Sequence, residues 1–117
     1  MLPFKNRLVK RKDFEKIQRG GQYFSHGNIA VKFVSNGSAE TRVGFSVGLK
    51  YSKLAVARNQ AKRMLREIFR GYLRKLKKGQ DIDVIIRKRE GEKIKTPKLN
   101  EDVEIVLQKA GLIEIKK

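Results

Sequence analysis

Apolar and polar residues along this chain change period several times, and each change marks an element. Ile29, Val31 and Phe33 alternate with Ala30, Lys32 and Val34, and Thr41, Val43, Phe45 and Val47 alternate with Arg42, Gly44 and Ser46. A period of two predicts two strands. Between them lies Ser35-Asn36-Gly37-Ser38; Asn-Gly accepts the positive φ of a tight turn, so an antiparallel hairpin is expected. From residue 56 to 78 the period lengthens. Ala61, Met64, Leu65, Ile68, Phe69, Tyr72, Leu73 and Leu76 recur at spacings of three and four, and Lys77-Lys78-Gly79 follows. This predicts a long helix with one apolar stripe, closed by positive charge and glycine. Ile82, Val84, Ile85 and Ile86 then form a nearly unbroken apolar run, which predicts a strand over 82–87 buried on both faces.

The remaining signals are shorter. Residues 13–19 read as a helix with Asp13 and Glu15 at its positive end, Phe14 and Ile17 on one face, and Gly20-Gly21 as its stop. Residues 90–98 read as a charged loop. Asn100 is the expected cap of a last helix that turns Val103, Val106, Leu107 and Ala110 inward and stops at Gly111. Residues 112–115 are expected to be extended. Residues 1–12 are basic and aperiodic, a partly extended segment with Leu2, Phe4, Leu8 and Val9 as anchors. The order is helix, strand, strand, helix, strand, helix (αββαβα). The long helix crosses between the second and third strands, which should therefore be parallel. The expected fold is α+β: a two-layer sandwich of a small mixed sheet and a layer of helices, forming one domain over residues 1–117.

Charge sharpens this picture. The 117 residues carry 29 Lys+Arg against 12 Asp+Glu, a net +17, and so strong a surplus seeks a polyanion. The surplus is not spread evenly. Residues 56–78 hold nine basic residues and one acid, and residues 1–19 hold seven and two, whereas residues 101–117 hold three lysines and four acids. In the long helix Arg58, Lys62, Arg66, Arg70 and Arg74 stand four apart. A solvated helix face normally mixes signs at that spacing, whereas repeated like charges cost a few tenths of a kcal/mol per pair. Such a row is explained by phosphates. Guanidinium groups make directional, bidentate contacts with them, and the apolar stripe is needed for the core, so nucleic acid is favoured over a membrane surface.

Other chemistry is thin. The chain has no cysteine and one histidine, His26, so disulfides, thiolate metal sites and histidine catalysis are not expected, and a cytoplasmic setting is. No run approaches the roughly 20 apolar residues of a membrane span, and Met1-Leu2-Pro3-Phe4-Lys5 does not open a signal peptide. Asp81 and Asp83 are two apart; metal-assisted hydrolysis needs clustered carboxylates, and these two are expected to be solvated where the strand begins. No catalytic or metal-holding side chain is assigned. Single-stranded RNA is gripped by basic grooves with stacking side chains, and Phe14 with Lys32 or Phe33 could line one, although a core position suits Phe33 better and Phe14 about as well.

The run from Leu54 to Arg70 carries a more specific signal. Ala55, Arg58, Asn59, Lys62, Arg63 and Arg66 resemble the arginine-and-asparagine signature of the bacterial ribonuclease P protein component. Arg7-Leu8, Asp13-Phe14 and the segment Arg42-Val43-Gly44-Phe45-Ser46-Val47 are similar to the same family, and the resemblance spans about residues 6–110. Lys53, Ala61 and Gln18 depart from its pattern. The resemblance implies a fold like the second domain of a small-subunit ribosomal protein, with a left-handed strand–helix–strand crossover. It also implies a subunit of a ribonucleoprotein whose RNA, with bound Mg²⁺, removes the 5′ leader of precursor tRNA. The implied partners are that catalytic RNA and precursor tRNA, with no membrane and no obligate protein partner. By this resemblance Arg58, Asn59, Lys62, Arg63 and Arg66 face RNA, and Phe14 and Lys32 mark a leader-binding cleft; Lys50, Lys53 and Arg70 are expected to extend the RNA surface, and Phe33 is the further candidate for the cleft. A general RNA-binding protein of ribosomal type and a DNA-binding architectural protein are the alternatives, and the wedge or groove-reading elements of the latter are not evident.

Overall fold

The computed structural model describes residues 3–88 and 91–114. After a short 3-10 turn at Phe4–Asn6 the elements are α1 (Arg11–Gly20), β1 (Gln22–His26), β2 (Ile29–Ser35), β3 (Arg42–Ser46), α2 (Ala55–Arg70), β4 (Gln80–Ile86) and α3 (Thr96–Lys109). The strands form one sheet in the order β1-β2-β4-β3. β2 runs antiparallel to β1 and β4, while β3 and β4 are parallel, as the α2 crossover requires.

The α+β class and the mixed sheet match expectation, but the hairpin does not. β2 and β3 are not neighbours, because β4 inserts between them. Asn36-Gly37 does turn the chain: Gly37 has φ 70° and Asn36 Oδ1 accepts from the Ser38 amide at 2.8 Å. The turn leads across the width of a strand instead of into direct pairing. The actual hairpin joins β2 to β1, a strand absent from the expected order, through Gly27 at φ 58°. Asp102 of α3 holds this turn. Its carboxylate accepts from the Asn28 amide at 3.2 Å and from Lys98 Nζ at 3.0 Å, and His26 Nε2 lies 3.7 Å away.

Strand alternation decides what each face buries. Ile29, Val31 and Phe33 of β2, Val43 of β3, and Ile82, Val84 and Ile86 of β4 join Ala61, Leu65 and Phe69 of α2 and Leu99, Val103, Val106 and Leu107 of α3 in the main core. Phe45 meets Phe69 edge-on at 5.5 Å. The helices are not confined to that layer, for α1 lies on the opposite face of the sheet. There Leu8, Ile17 and Ala30 are buried apart from the main core.

Helix ends differ from the sequence pattern in three places. α1 begins at Arg11, within the segment expected to be extended, instead of at Asp13. α2 stops at Arg70 instead of continuing to residue 78, since Gly71 begins a series of turns; Leu76 still reaches the core. α3 begins at Thr96, not Asn100. Pro97 in its first turn lacks the N–H that a helix start leaves unused. Residues 96–98 of the expected loop are therefore helical. Leu112 and Ile113 are buried in a turn, not a strand, with the Leu112 carbonyl accepting from the Lys77 amide at 2.7 Å. Ile115 lies outside the described residues.

Candidate nucleic-acid interface

α2 is built to show positive charge. Its first turn contains no acid, and Leu54 at the N-cap supplies no side-chain hydrogen bond, so the positive end of the helix dipole is left uncompensated. Ala61, Leu65 and Phe69 are buried against the sheet. Arg58, Lys62 and Arg66 flank that stripe half-buried, and Asn59, Arg63 and Arg70 are exposed. Arg58 also has a structural role: its Nη1 donates to the Ser52 carbonyl at 2.9 Å and ties the preceding loop to the helix. Lys50 and Lys53 stand exposed in that loop. Arg70 Nη2 lies 3.1 Å from Glu67 Oε2, but both side chains are about 60% exposed, so the pair leaves Arg70 accessible at little cost.

Lys62 and Arg66 line a cavity of about 380 Å³ together with Arg7, Leu8, Val9, Phe14, Val43, Gly44 and Phe45. It lies along β3, at the sheet's edge. The basic N-terminal segment runs along the same strand. Arg7 bridges to Val43 in parallel, and the Leu8 amide donates to the Val43 carbonyl at 3.0 Å. Phe14 comes from α1 and rests on Gly44. A Cβ built at Gly44 would lie 2.8 Å from Phe14 Cε1, closer still to Cζ, and 2.9 Å from the Leu8 carbonyl oxygen. Gly44 is thus the seat of the aromatic ring. The structure brings together Phe14, Lys62 and Arg66, which the sequence pattern had placed on two separate surfaces.

The other two cleft candidates behave differently. Phe33 faces the main core, 7% exposed and stacked on Phe24 at 6.1 Å, so it does not reach the cavity. Alternation along β2 puts it and Phe14 on opposite faces of the sheet. Lys32 is on the α1 face, where its Nζ donates to the Gln18 carbonyl at 2.9 Å. It ties β2 to the C-terminal end of α1, where carbonyl groups favour a cation.

A network of charge positions α1, and the sequence pattern did not reveal it. Arg42 binds Asp81 through two parallel hydrogen bonds, Nε to Oδ1 at 2.9 Å and Nη2 to Oδ2 at 2.6 Å, while Nη1 lies 3.3 Å from Asp13 Oδ2. The Asp81 hydrogen bond, ahead of the other contributions, raises the Arg42 pKa above its ordinary value. Asp81 and Asp83 are buried, not solvated. Asp83 accepts from Ser46 Oγ at 2.7 Å. Desolvation by burial raises its pKa, and the Ser46 hydrogen bond and the Lys32 charge only partly offset this. Pairing across 39 residues leaves no local trace. The role of Gly44 was more legible, since a glycine inside an alternating strand marks close approach of another group.

Among the described residues no group of three or more His, Asp or Glu is placed to hold a metal ion, and no helix is long and apolar enough to cross a membrane.

Comparison with known proteins agrees over nearly the whole chain. The family model described as Ribonuclease P matches residues 2–111. A ribonuclease P protein component from a Pseudanabaena species is 38% identical over 114 residues, covering 97% of each chain. One from Dictyoglomus turgidum is 34% identical over 115 residues, covering 96% of this chain and 94% of the relative. Among solved structures, the RNase P protein of Staphylococcus aureus superposes with TM-score 0.82 at 28% identity, covering 93% of this chain and 98% of that one. The protein from Thermotoga maritima gives TM-score 0.78 at 33% identity, with 95% and 98% covered. A family model matching nearly the whole chain, relatives aligned over nearly their full length and a matching fold with a basic helix beside an aromatic-floored cavity place the chain in the ribonuclease P protein component family.

Proposed function

We propose that this chain works as the RNA-binding subunit of a ribonuclease P ribonucleoprotein, holding the 5′ leader of precursor tRNA in the Phe14 cavity and the RNA subunit along α2. The observation that carries this reading is the shared wall of the two sites. Lys62 and Arg66 belong both to the basic face of α2 and to the cavity that contains Phe14. An unpaired strand entering that cavity finds an aromatic ring to stack on and two cations for its phosphates. Asn59, Arg63 and Arg70 remain outward for a second RNA surface, with Lys50 and Lys53 extending it toward the helix start.

The bond-breaking chemistry belongs to the RNA partner and its Mg²⁺. The buried carboxylates of the sheet and α1 support this division, because they are already committed within the fold: Asp81 to Arg42 and Asn36, Asp13 to Arg42, and Asp83 to Ser46. The protein contributes binding and orientation, in the cytoplasm where tRNA precursors are processed.

The test is reconstitution. Added to a bacterial ribonuclease P RNA at low Mg²⁺, the chain is expected to restore cleavage of precursor tRNA. Failure to restore cleavage, with the RNA shown to be active at high Mg²⁺, overturns the proposal.

A further inference from the structure

Five large apolar side chains are strongly exposed among the described residues, and three of them lie within eight positions: Leu49 at 70%, Leu54 at 70% and Val56 at 69%. Leu54 is the N-cap of α2, Val56 lies in its first turn, and Leu49 sits in the loop that leads into it. Scattered exposed leucines need no explanation, but a local concentration rimmed by charge marks a contact surface. The loop that carries them is fastened. The Tyr51 amide donates to the Gly48 carbonyl at 3.0 Å, the Leu54 amide to Ser52 Oγ at 3.1 Å, and Arg58 to the Ser52 carbonyl at 2.9 Å. Tyr51 of the same loop packs against the main core, whereas Leu49 and Leu54 stay outside.

We infer that Leu49, Leu54 and Val56 form a contact for unpaired nucleotides of the RNA subunit, meeting base and ribose surfaces while the neighbouring cations meet phosphates. This rests on the function proposed above and extends it to a contact that is not electrostatic. Charge selects the occupant. Lys50, Lys53 and Arg58 are interleaved with the three apolar residues, and no acid occurs anywhere from Thr41 to Arg66. Lys88 adds a further cation, its Nζ 4.9 Å from the Tyr51 ring centroid. A second copy of the chain would bring this like charge against itself, whereas RNA supplies the opposite charge. A duplex hides its base faces in the stack, so the apolar component selects unpaired nucleotides. At 1.5 Å rise per residue, Val56 lies roughly 9 Å along the helix axis from Lys62, so the same RNA can cover both.

The experiment compares the full chain with a triple variant, Leu49→Ala, Leu54→Ala and Val56→Ala, in assembly with ribonuclease P RNA across a range of salt. The three side chains are mostly exposed, and an unchanged melting temperature verifies the fold. The expected result is about tenfold weaker RNA affinity at every salt concentration, with the slope of log K against log[salt] unchanged because no phosphate contact is lost. Lys53→Ala, in contrast, is expected to flatten the slope. Affinity of the triple variant within twofold of the parent overturns the inference, as does a loss accompanied by a flattened slope. Sedimentation provides a further check: self-association of the parent that the triple variant abolishes assigns the face to a second copy and also overturns it. Failure of the functional proposal looks different, because then the parent itself neither binds the RNA nor restores cleavage.

Discussion

Replacing Arg42 with alanine removes the cation shared by two buried carboxylates. The side chains of Asp81 and Asp13 keep 5% and 12% of their exposure. Without Arg42, Asp81 retains the hydrogen bond from Asn36 Nδ2 at 2.8 Å, and Asp13 loses its ion pair. Removing one partner of a buried pair costs about 3–5 kcal/mol, because the surviving charge has left water without compensation. Arg42 is itself 32% exposed, so solvent softens the loss and the lower end applies, about 3 kcal/mol. For a domain of this size each kcal/mol moves the melting temperature by roughly 4 °C, so a drop of about 12 °C is expected. Urea unfolding followed by circular dichroism gives the free energy directly. The second substitution is the sharper measurement. Asp81→Asn in the Arg42→Ala background keeps an acceptor for Asn36 and removes one orphaned charge, so it should recover about 1 kcal/mol or more. A loss below about 1 kcal/mol, or no recovery in the double variant, would refute the claim that Arg42 stabilises the fold by compensating these buried carboxylates.

Gly44→Ala places a methyl group against Phe14 and the Leu8 carbonyl. It should cost about 1–3 kcal/mol and weaken binding of leader-bearing precursor more than binding of mature tRNA; equal effects on the two ligands would contradict the seat assigned to the ring. Arg58→Ala should do two things. The log K against log[salt] slope should fall by about 0.7–0.9 for the lost phosphate contact, and amide exchange over residues 49–54 should speed up as the Ser52 carbonyl is released. Arg63→Ala should change the slope alone. Asp83→Asn tests burial of charge. The native carboxyl titrates above its ordinary 3.8, so stability is lost as the pH rises from 3.8, and the loss is complete once the pH exceeds the raised pKa. The variant should melt higher at pH 7, and the gain should fade as the pH falls through the raised pKa toward 3.8. A gain that persists at pH 3 would point to packing instead of charge.

The basic face of α2 was legible because two periods coincide in one segment: Ala61, Leu65 and Phe69 mark the buried stripe, and Arg58, Lys62 and Arg66 mark its flank. Local pattern also located β2, β3 and β4. It could not order them, since nothing in Asn36-Gly37 reveals that another strand will occupy the space between the two it connects. β1 was missed because Gln22-Tyr23-Phe24-Ser25-His26 alternates weakly, although Gly27 before an apolar run was an available turn signal. The apolar period overstates the length of α2 because Tyr72 and Leu76 keep facing the core after the helix has ended. Phe33 and Phe14 could not be separated from sequence, because which face a strand residue uses depends on where α1 packs. Asp81 and Asp83 look solvated in the sequence for the same reason: their partners, Arg42 and Ser46, are distant in sequence and close only in the fold.

The central position of β4 has a consequence for how the chain is made. β2 and β3 are complete by Ser46, but the strand that joins them ends only at Ile86. At roughly 5–20 residues per second, synthesis leaves an interval of about 2–8 s in which β3 has no sheet to join. During that interval the whole of α2 is produced, with its apolar stripe uncovered and its arginines available. The nascent chain therefore displays its basic helix before it has a core, and a polyanion that neutralises the helix at that stage would act on folding as well as on assembly.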